Sequence, residues 1–455
     1  MGKLFGTDGV RGIPNQQLTP ELALRLGMAV GTYFGEGAKI LVGRDVRCGG
    51  DMIVHAVIAG LLSAGVKVYY AGYAPTPAIQ YNVRVGGFDG AVIVTASHNP
   101  PEYNGIKVVG PQGIEASRDA EREIEEIYFE QKFRPAPWSH LVYDVKPYPE
   151  ALDVYINGVV EHVDDKLIKS KGFKVVVDCA NSVGALATPK ILEKLGVKVV
   201  SVNCHLDPLF LGREPEPTPD TLANTAKVVV DLNADLGIGH DGDADRAILI
   251  DDRGRVWWGD RTGSLLAAYV ADKYRNLPRK VYTGVSSSIL VEEYLAQYGI
   301  EVKWTPVGSI YISYSLLKEG GVAGFEENGG YIHPPHQLVR DGAMTLALFL
   351  ELMAEENKRA SELFDRLPRY EAIKIKVPMA REKALKAVEA VKEAFKEYRQ
   401  VTIDGVKVFG EKWWVLVRPS GTEPVLRIMA EAPTREEAEQ LVSKVVDIVK
   451  STVGA

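Results

Sequence analysis

The stretch Ala91-Val92-Ile93-Val94-Thr95-Ala96-Ser97-His98-Asn99-Pro100 constrains the fold more than any other part of the chain. Its opening apolar run suits a strand covered on both faces, as in a parallel sheet beneath helices. The run breaks into a hydroxyl, an imidazole and an amide, and Pro100 and Pro101 then forbid an immediate helix. Proline has no backbone N–H and restricts the residue before it. Polar groups are thus held on a stiff loop past a buried strand, the edge at which open α/β sheets bind ligands. A polar β-turn accounts equally well for the hexapeptide alone. The remainder of the chain has to decide.

Strands and helices alternate along most of the sequence, which implies βαβ units and a mostly parallel sheet. In residues 1–150 a glycine-rich loop, Gly6 to Gly12, precedes a helical pattern from Pro20. Strands follow at Ile40–Asp45, Val66–Tyr70 and Ala91–Val94, with Ile53 to Leu62 recurring at helical spacing. Residues 151–254 restart the rhythm, with strands at Lys174–Asp178 and Lys198–Val202, a helix over Thr188–Leu195, and a Pro-rich loop, Arg213 to Pro219. A further strand there ends at Asp241-Gly242-Asp243-Ala244-Asp245-Arg246, and Ala247–Ile250 continues as strand. In residues 255–367 strands at Lys280–Thr283, Val302–Thr305 and Val322–Phe325 lead to Glu326-Glu327-Asn328-Gly329-Gly330. Each unit delivers a polar cluster from a strand end, which suggests a diverged threefold repeat. Residues 368–455 read as a small α+β domain. Its charged helices lie near 380–399 and 433–450, its strands at 401–408, 413–418 and 425–430, and its polar loop is Arg418 to Pro424.

Composition narrows the function classes. At 455 residues the chain exceeds one hydrophobic core, so several domains are expected. A net charge of −7 argues against a nucleic-acid binder, which needs a basic face. Cys48, Cys179 and Cys204 are far apart and form no C-x-x-C pair, which argues against structural zinc and a secreted disulfide scaffold. The opening Met-Gly-Lys-Leu-Phe-Gly lacks the apolar core of a signal peptide and a myristoylation pattern. No apolar run approaches the ~20 residues that cross a bilayer. A cytoplasmic protein with no membrane or nucleic-acid partner is expected. No exposed heptad marks an oligomer interface, and a homodimer is left open.

Asp241, Asp243 and Asp245 are carboxylates that repel unless a cation sits among them. Hard oxygen ligands suit Mg²⁺ or Mn²⁺. An EF-hand fails, because counting from Asp241 the glycine position is Arg246 and the glutamate position is Asp252. Gly237, Gly239 and Gly242 spell G-x-G-x-x-G but run into carboxylates and another strand rather than a helix, so a dinucleotide site is not expected. Mg²⁺ held by carboxylates readily accepts phosphate oxygens. Ser97 is a weak nucleophile without a base or a Gly-x-Ser-x-Gly elbow. As phosphoserine it would carry nearly two negative charges and complete the shell of the metal.

The Arg418 to Pro424 loop offers an arginine fork, the hydroxyls of Ser420 and Thr422, and backbone N–H groups freed by Gly421. Together these make a phosphate cradle, and Arg427 adds a second cation. A Walker A sequence is absent, so the phosphate is not expected to be that of ATP in a P-loop. Glu326 and Asn328 can hydrogen-bond vicinal sugar hydroxyls. Lys107, close after the serine loop, can bring an ammonium to a reacting phosphate and act as acid or base.

These clusters, in this order and spacing, resemble the α-D-phosphohexomutase family over nearly the whole chain. The Thr95 to Pro100 and Asp241 to Arg246 motifs are the most specific, and the opening Leu4 to Gly12 looks closest to the phosphoglucosamine mutase branch. The resemblance implies three related α/β domains with mixed, mostly parallel sheets, plus a C-terminal α+β domain similar to the TATA-binding-protein fold, around a central cleft. It implies that Ser97 is the phosphorylated residue and that Asp241, Asp243 and Asp245 share Mg²⁺ with its phosphate. Arg11, His98, Lys107 and Arg246 match positions around the transferred phosphoryl group. Glu326 and Asn328 match the sugar-binding positions, with Asn328 and Gly330 departing from the usual Ser and His. Arg418, Ser420, Gly421 and Thr422 match those gripping the other phosphate.

The implied reaction interconverts hexose 6-phosphate and hexose 1-phosphate through a 1,6-bisphosphate, with glucosamine 6-phosphate the first expectation. A bifunctional phosphoglucomutase/phosphomannomutase is the alternative. A Mg²⁺-dependent sugar phosphatase and a non-catalytic phosphosugar-binding protein are the rivals from other classes.

Overall fold

The computed structural model describes residues 4–6, 9–142, 144–420 and 424–453. It forms two compact units, Met1–Gly259 with Asn328–Leu363 and Asp260–Glu327 with Phe364–Ala455. In the first unit a six-stranded sheet contains β1 (Val10–Gly12), β2 (Lys39–Arg44), β3 (Lys67–Tyr73), β4 (Gly90–Val94), β5 (Asn104–Val109) and β6 (Lys146–Pro147). Their order is β1-β5-β4-β2-β3-β6. Strands β4, β2, β3 and β6 run parallel, while β5 is antiparallel to β4 and to β1. Leu26, Val30, Val54, Val57 and Leu61, from helices Pro20–Phe34 and Gly50–Ser63, form a buried cluster with Ile40, Val42 and Val92. Each such side chain contributes about 1.5–3 kcal/mol of burial. Thr19 starts the first helix by accepting the Leu22 N–H at 3.2 Å.

The serine loop is therefore the connection of a β-hairpin. Sequence periodicity does not reveal β5, yet it is buried throughout and pairs Lys107 with Ile93. The opening expected as a loop contributes β1, because the edge of β5 offers Val10 and Gly12 a partner; Thr7 and Asp8 lie outside the described residues.

A five-stranded sheet in the same unit contains β7 (Lys174–Asp178), β8 (Lys198–Val202), β9 (Leu236–His240), β10 (Ala247–Asp251) and β11 (Val256–Trp257), in the order β11-β10-β9-β7-β8. Ala247 pairs antiparallel with His240, so Asp241 to Arg246 is again a hairpin connection. The parallel neighbours β7 and β8 bring Cys179 and Cys204 together as a disulfide across 25 residues. Spacing along the chain does not reveal this pair, because a βαβ crossover places two strand ends side by side whatever the chain separation. Closing a loop of that length stabilises by about 3 kcal/mol in the chain-entropy account.

In the second unit parallel strands lie in the order Glu301–Thr305, Lys280–Gly284, Ala323–Phe325. A separate antiparallel sheet orders Glu371–Pro378, Val425–Ala432, Trp414–Pro419, Val406–Phe409 and Arg399–Val401. Helices Arg381–Ala394 and Arg435–Val453 accompany it, their apolar faces sharing one core with the sheet. The strand expected over 401–408 is two strands, turned at Gly405 with φ 75°. From Ile373 to Val377 the edge strand Glu371–Pro378 alternates apolar residues with Lys374 and Lys376, as suits an edge strand with one solvated face. Among the described residues no helix is long and apolar enough to cross a membrane.

Asp341 joins three parts of the first unit. Its carboxylate accepts from Tyr155 Oη at 2.6 Å, Gln337 Nε2 at 2.8 Å and the Met344 N–H at 2.9 Å, capping helix Gly342–Glu356. Burial pushes this carboxyl up, but donors from His336, Tyr155 and Met344 outweigh it and hold it below the usual carboxylate range. Such a group contributes stability above its unfolded-state pKa and loses it as the pH falls through the folded value. Asp341→Ala should cost about 3 kcal/mol in urea denaturation at neutral pH. The stability lost by the wild type below about pH 4 should be smaller in Asp341→Asn.

Candidate active site

Ser97 follows β4 with φ 51° and is fully buried. Its backbone N–H donates to Thr95 Oγ1 at 2.9 Å, and the Thr95 hydroxyl donates to Asp45 Oδ2 at 2.6 Å. Beneath the loop lies Arg47, with a fully buried side chain. Its Nη2 donates to the carbonyls of Ser97 and Asn99, both at 2.7 Å, and its Nη1 to those of Pro100 and Tyr103 at 2.7 and 2.9 Å. Nε donates to Asp45 at 3.2 Å, so the buried guanidinium has its counter-ion. The fork thereby ties four carbonyls of one loop to a single planar group.

The acidic loop meets the serine loop at Gly242, where a Cβ would lie 2.5 Å from the Ser97 carbonyl oxygen. Ser97 Oγ donates to Asp241 Oδ2 at 2.7 Å. Asp241, Asp243 and Asp245 are all buried, each with an oxygen within 4.8 Å of the others. Lys107 Nζ sits 3.2 Å from Asp243 Oδ2 and 3.7 Å from Asp245 Oδ2. The Thr76 hydroxyl donates to Asp243 Oδ2 at 2.7 Å, and Arg340 Nη2 to Asp245 Oδ2 at 2.5 Å. Arg246 Nη2 lies 2.8 Å from His98 Nδ1, which is 3.4 Å from Ser97 Oγ. Arg11 hydrogen-bonds Asn99 in the serine loop. The first unit therefore brings together Arg11, Ser97, His98, Lys107, Arg246 and the acidic triad.

Burial first, then repulsion by Asp245 and Asp243, holds the Asp241 carboxyl well above the usual range. Burial raises Asp245 too, with Arg340 the largest influence opposing it. Carboxylates crowded this way are relieved by a cation. Asp245 Oδ1 is buried without a hydrogen-bond partner. Hard oxygens with an orphaned lone pair fit a divalent metal ion.

The second unit carries most of the remaining expected residues. Glu326 is buried just past strand Ala323–Phe325. Arg418 and Arg427 stand opposite each other on adjacent strands. Two like charges directly opposite are unfavourable, so an anion between them would stabilise the pair. Arg418 Nη2 is 2.9 Å from Asp404 Oδ2. Ser420 is buried and its N–H donates to the Val425 carbonyl at 2.9 Å. Gly421 and Thr422 lie outside the described residues. Asn328, in the first unit, accepts the Gly330 N–H at 3.1 Å.

Family models of phosphoglucomutase/phosphomannomutase match in sequence: α/β/α domain I over residues 2–135, domain II over 153–254, domain III over 258–370 and the C-terminal domain over 374–448. The chain belongs to the phosphoglucomutase/phosphomannomutase family. It is 54% identical to a phosphoglucosamine/phosphogalactosamine mutase of Sulfurisphaera tokodaii, over 99% of this chain and 100% of that one. A phosphoglucomutase/phosphomannomutase of Thermococcus kodakarensis is 43% identical over 97% of each. A solved family member from Burkholderia thailandensis superposes with TM-score 0.89 at 25% identity, covering 99% of this chain and 97% of that one. As a phosphohexomutase, the chain is an intramolecular phosphotransferase acting on hexose phosphates, built on the four-domain α/β architecture.

Sequence reasoning missed Arg47, Asp45, Thr76 and Arg340. Arg47 and Asp45 follow a buried strand in Gly43-Arg44-Asp45-Val46-Arg47, so the same strand-end criterion that selected Ser97 could have found them. In this phosphohexomutase Arg47→Lys should lower kcat by at least about tenfold while KM for a hexose phosphate stays within about twofold. Lysine cannot fork onto so many carbonyls at once. Steady-state kinetics on the folded variant checks this.

Proposed function

We propose that the enzyme interconverts glucosamine 6-phosphate and glucosamine 1-phosphate through a phosphoserine at Ser97 and a 1,6-bisphosphate, with Mg²⁺ held by Asp241, Asp243, Asp245 and the phosphorylated Ser97. The observation that carries this reading is the Ser97 hydroxyl, 2.7 Å from Asp241 within a triad of buried carboxylates. A hydroxyl there has no structural need of three acids, whereas a phosphate and a cation would neutralise one another among them. Glucosamine is preferred because the 54%-identical relative is named for it. The same name adds galactosamine as a second substrate. The chain is read as four domains, 1–150, 151–254, 255–367 and 368–455, of a cytoplasmic enzyme.

In the forward half-reaction the bond from phosphorus to Ser97 Oγ breaks as the bond to the sugar's free hydroxyl oxygen forms. The hydroxyl proton passes to a base, a role we assign to Lys107, which enters this step as the neutral amine and leaves it as an ammonium beside the transferred group. The bisphosphate then turns over and returns its other phosphate to Ser97. Arg11, His98, Lys107 and Arg246 surround the moving group, where cations stabilise charge spread over its equatorial oxygens. Mg²⁺, when bound, adds a fixed double charge beside that group. Glu326 and Asn328 bind sugar hydroxyls. Arg418, Ser420, Gly421, Thr422 and Arg427 grip the phosphate that is not transferred, in both orientations of the sugar.

Intact-mass spectrometry should show a fraction of the protein one phosphate heavier, absent from Ser97→Ala, whose kcat should fall by at least about 10³-fold. A fully active Ser97→Ala would end this reading. Asp243→Asn should raise the Mg²⁺ concentration needed for half-maximal rate by about tenfold or more. An unchanged titration would remove the metal assignment. Coupled assays should rank glucosamine 6-phosphate at or above galactosamine, glucose and mannose 6-phosphates in kcat/KM. A rate with glucosamine phosphate far below glucose or mannose phosphate would reassign the substrate.

A further inference from the structure

Residues 328–332 run between two arginines. On one side Gly330 bridges to Arg246, and the Ala247 N–H donates to the Gly329 carbonyl at 2.9 Å. On the other, Ile332 bridges to Arg340, and the Asp341 N–H donates to the Tyr331 carbonyl at 2.9 Å. A Cβ on Gly330 would lie 2.2 Å from Arg340 Cδ and 2.9 Å from its Cγ. The Arg340 side chain thus crosses bare backbone at Gly330 to reach Asp245 Oδ2 at 2.5 Å. Only 6% of that side chain is exposed.

We propose that Arg340 is a positioning residue that aims Asp245 at the bound metal ion, and that Gly330 is the opening through which it reaches. The proposal rests on the reading of the acidic triad as the metal site. The two oxygens of Asp245 are unequally engaged. Oδ2 takes Arg340 at 2.5 Å, with Lys107 at 3.7 Å. Oδ1 is buried without a hydrogen bond, with Arg246 Nε 4.0 Å away. A carboxylate pinned through one oxygen to a planar guanidinium can present the other in a single direction. Mg²⁺ demands near-ideal octahedral geometry, so a ligand free to rotate or chelate through both oxygens binds it less well. Partners behind a metal ligand are worth about 10–100-fold in affinity or activity.

The test uses the full-length protein and Mn²⁺ as the probe, counting free Mn²⁺ by electron paramagnetic resonance. Arg340→Gln and Gly330→Ala should each weaken Mn²⁺ binding by about tenfold or more, with circular dichroism unchanged. Arg340→Lys should recover part of the loss. The double variant should bind no worse than Arg340→Gln, because the alanine acts by displacing Arg340. kcat should fall while KM for the hexose phosphate stays within about twofold. Mn²⁺ affinity within about twofold of wild type in folded Arg340→Gln, or tighter, would overturn the role of Arg340. Additive losses in the double variant would overturn that of Gly330. Asp243→Asn binding Mn²⁺ as well as the wild type would instead sink the metal site itself, a separate result.

Discussion

Three carboxylates held in the dry interior within 4.8 Å of one another are the constraint around which the first unit is arranged. Burial and mutual repulsion both oppose their ionisation. The surrounding chain answers with cations from distant places: Lys107 from β5, Arg246 from the end of the acidic loop, and Arg340 from beyond residues 328–332. Asp245 is held through Oδ2 by Arg340, while its buried Oδ1 makes no hydrogen bond. A cluster this costly destabilises a fold that has no use for it. Its retention in a phosphohexomutase makes physical sense if a divalent ion and a phosphate complete the charge balance.

The serine opposite this triad is fixed by another means. Arg47 ties the serine loop together through its carbonyls, and Asp45 holds both Arg47 and Thr95. The loop thus needs no helix or sheet pairing of its own to stay in place. Both chemical loops are hairpin connections, and the strands flanking each are buried along their whole length. Rigid supports of this kind suit phosphoryl transfer, where positioning and electrostatics supply nearly all of the rate.

The second unit shows the same economy with the opposite charge. Arg418 and Arg427 face each other across adjacent strands, an arrangement that favours an anion between them. Elsewhere in that unit a buried lysine is supported differently. Lys407 donates to the Ser287 carbonyl at 2.6 Å and lies 3.8 and 4.1 Å from the rings of Trp304 and Trp414. Burial pushes its ammonium down to about 7 despite those aromatic faces.

Much of this architecture is legible along the chain. Buried parallel strands such as Gly90–Val94 and Lys174–Asp178 appear as apolar runs, Ala91 to Val94 and Val175 to Val177, and stop where polar residues begin at Thr95 and Asp178. The chemistry of the Ser97 and Asp241–Asp245 loops is local too, since it depends on which functional groups follow one another. Short pairings are not legible in this way. Val10–Gly12 is a strand only because β5 lies beside it, and the residues around Gly405 turn where the apolar pattern reads as one strand.

The sequence by itself determined the functional groups and the strand ends that carry them, because periodicity and backbone restriction act over a few residues. Tertiary structure alone decided the partners: Arg340 on Asp245, Arg47 beneath Ser97, Cys179 against Cys204. Strand order and register join residues at any chain separation, and no pattern read along the chain encodes which strand lies next to which.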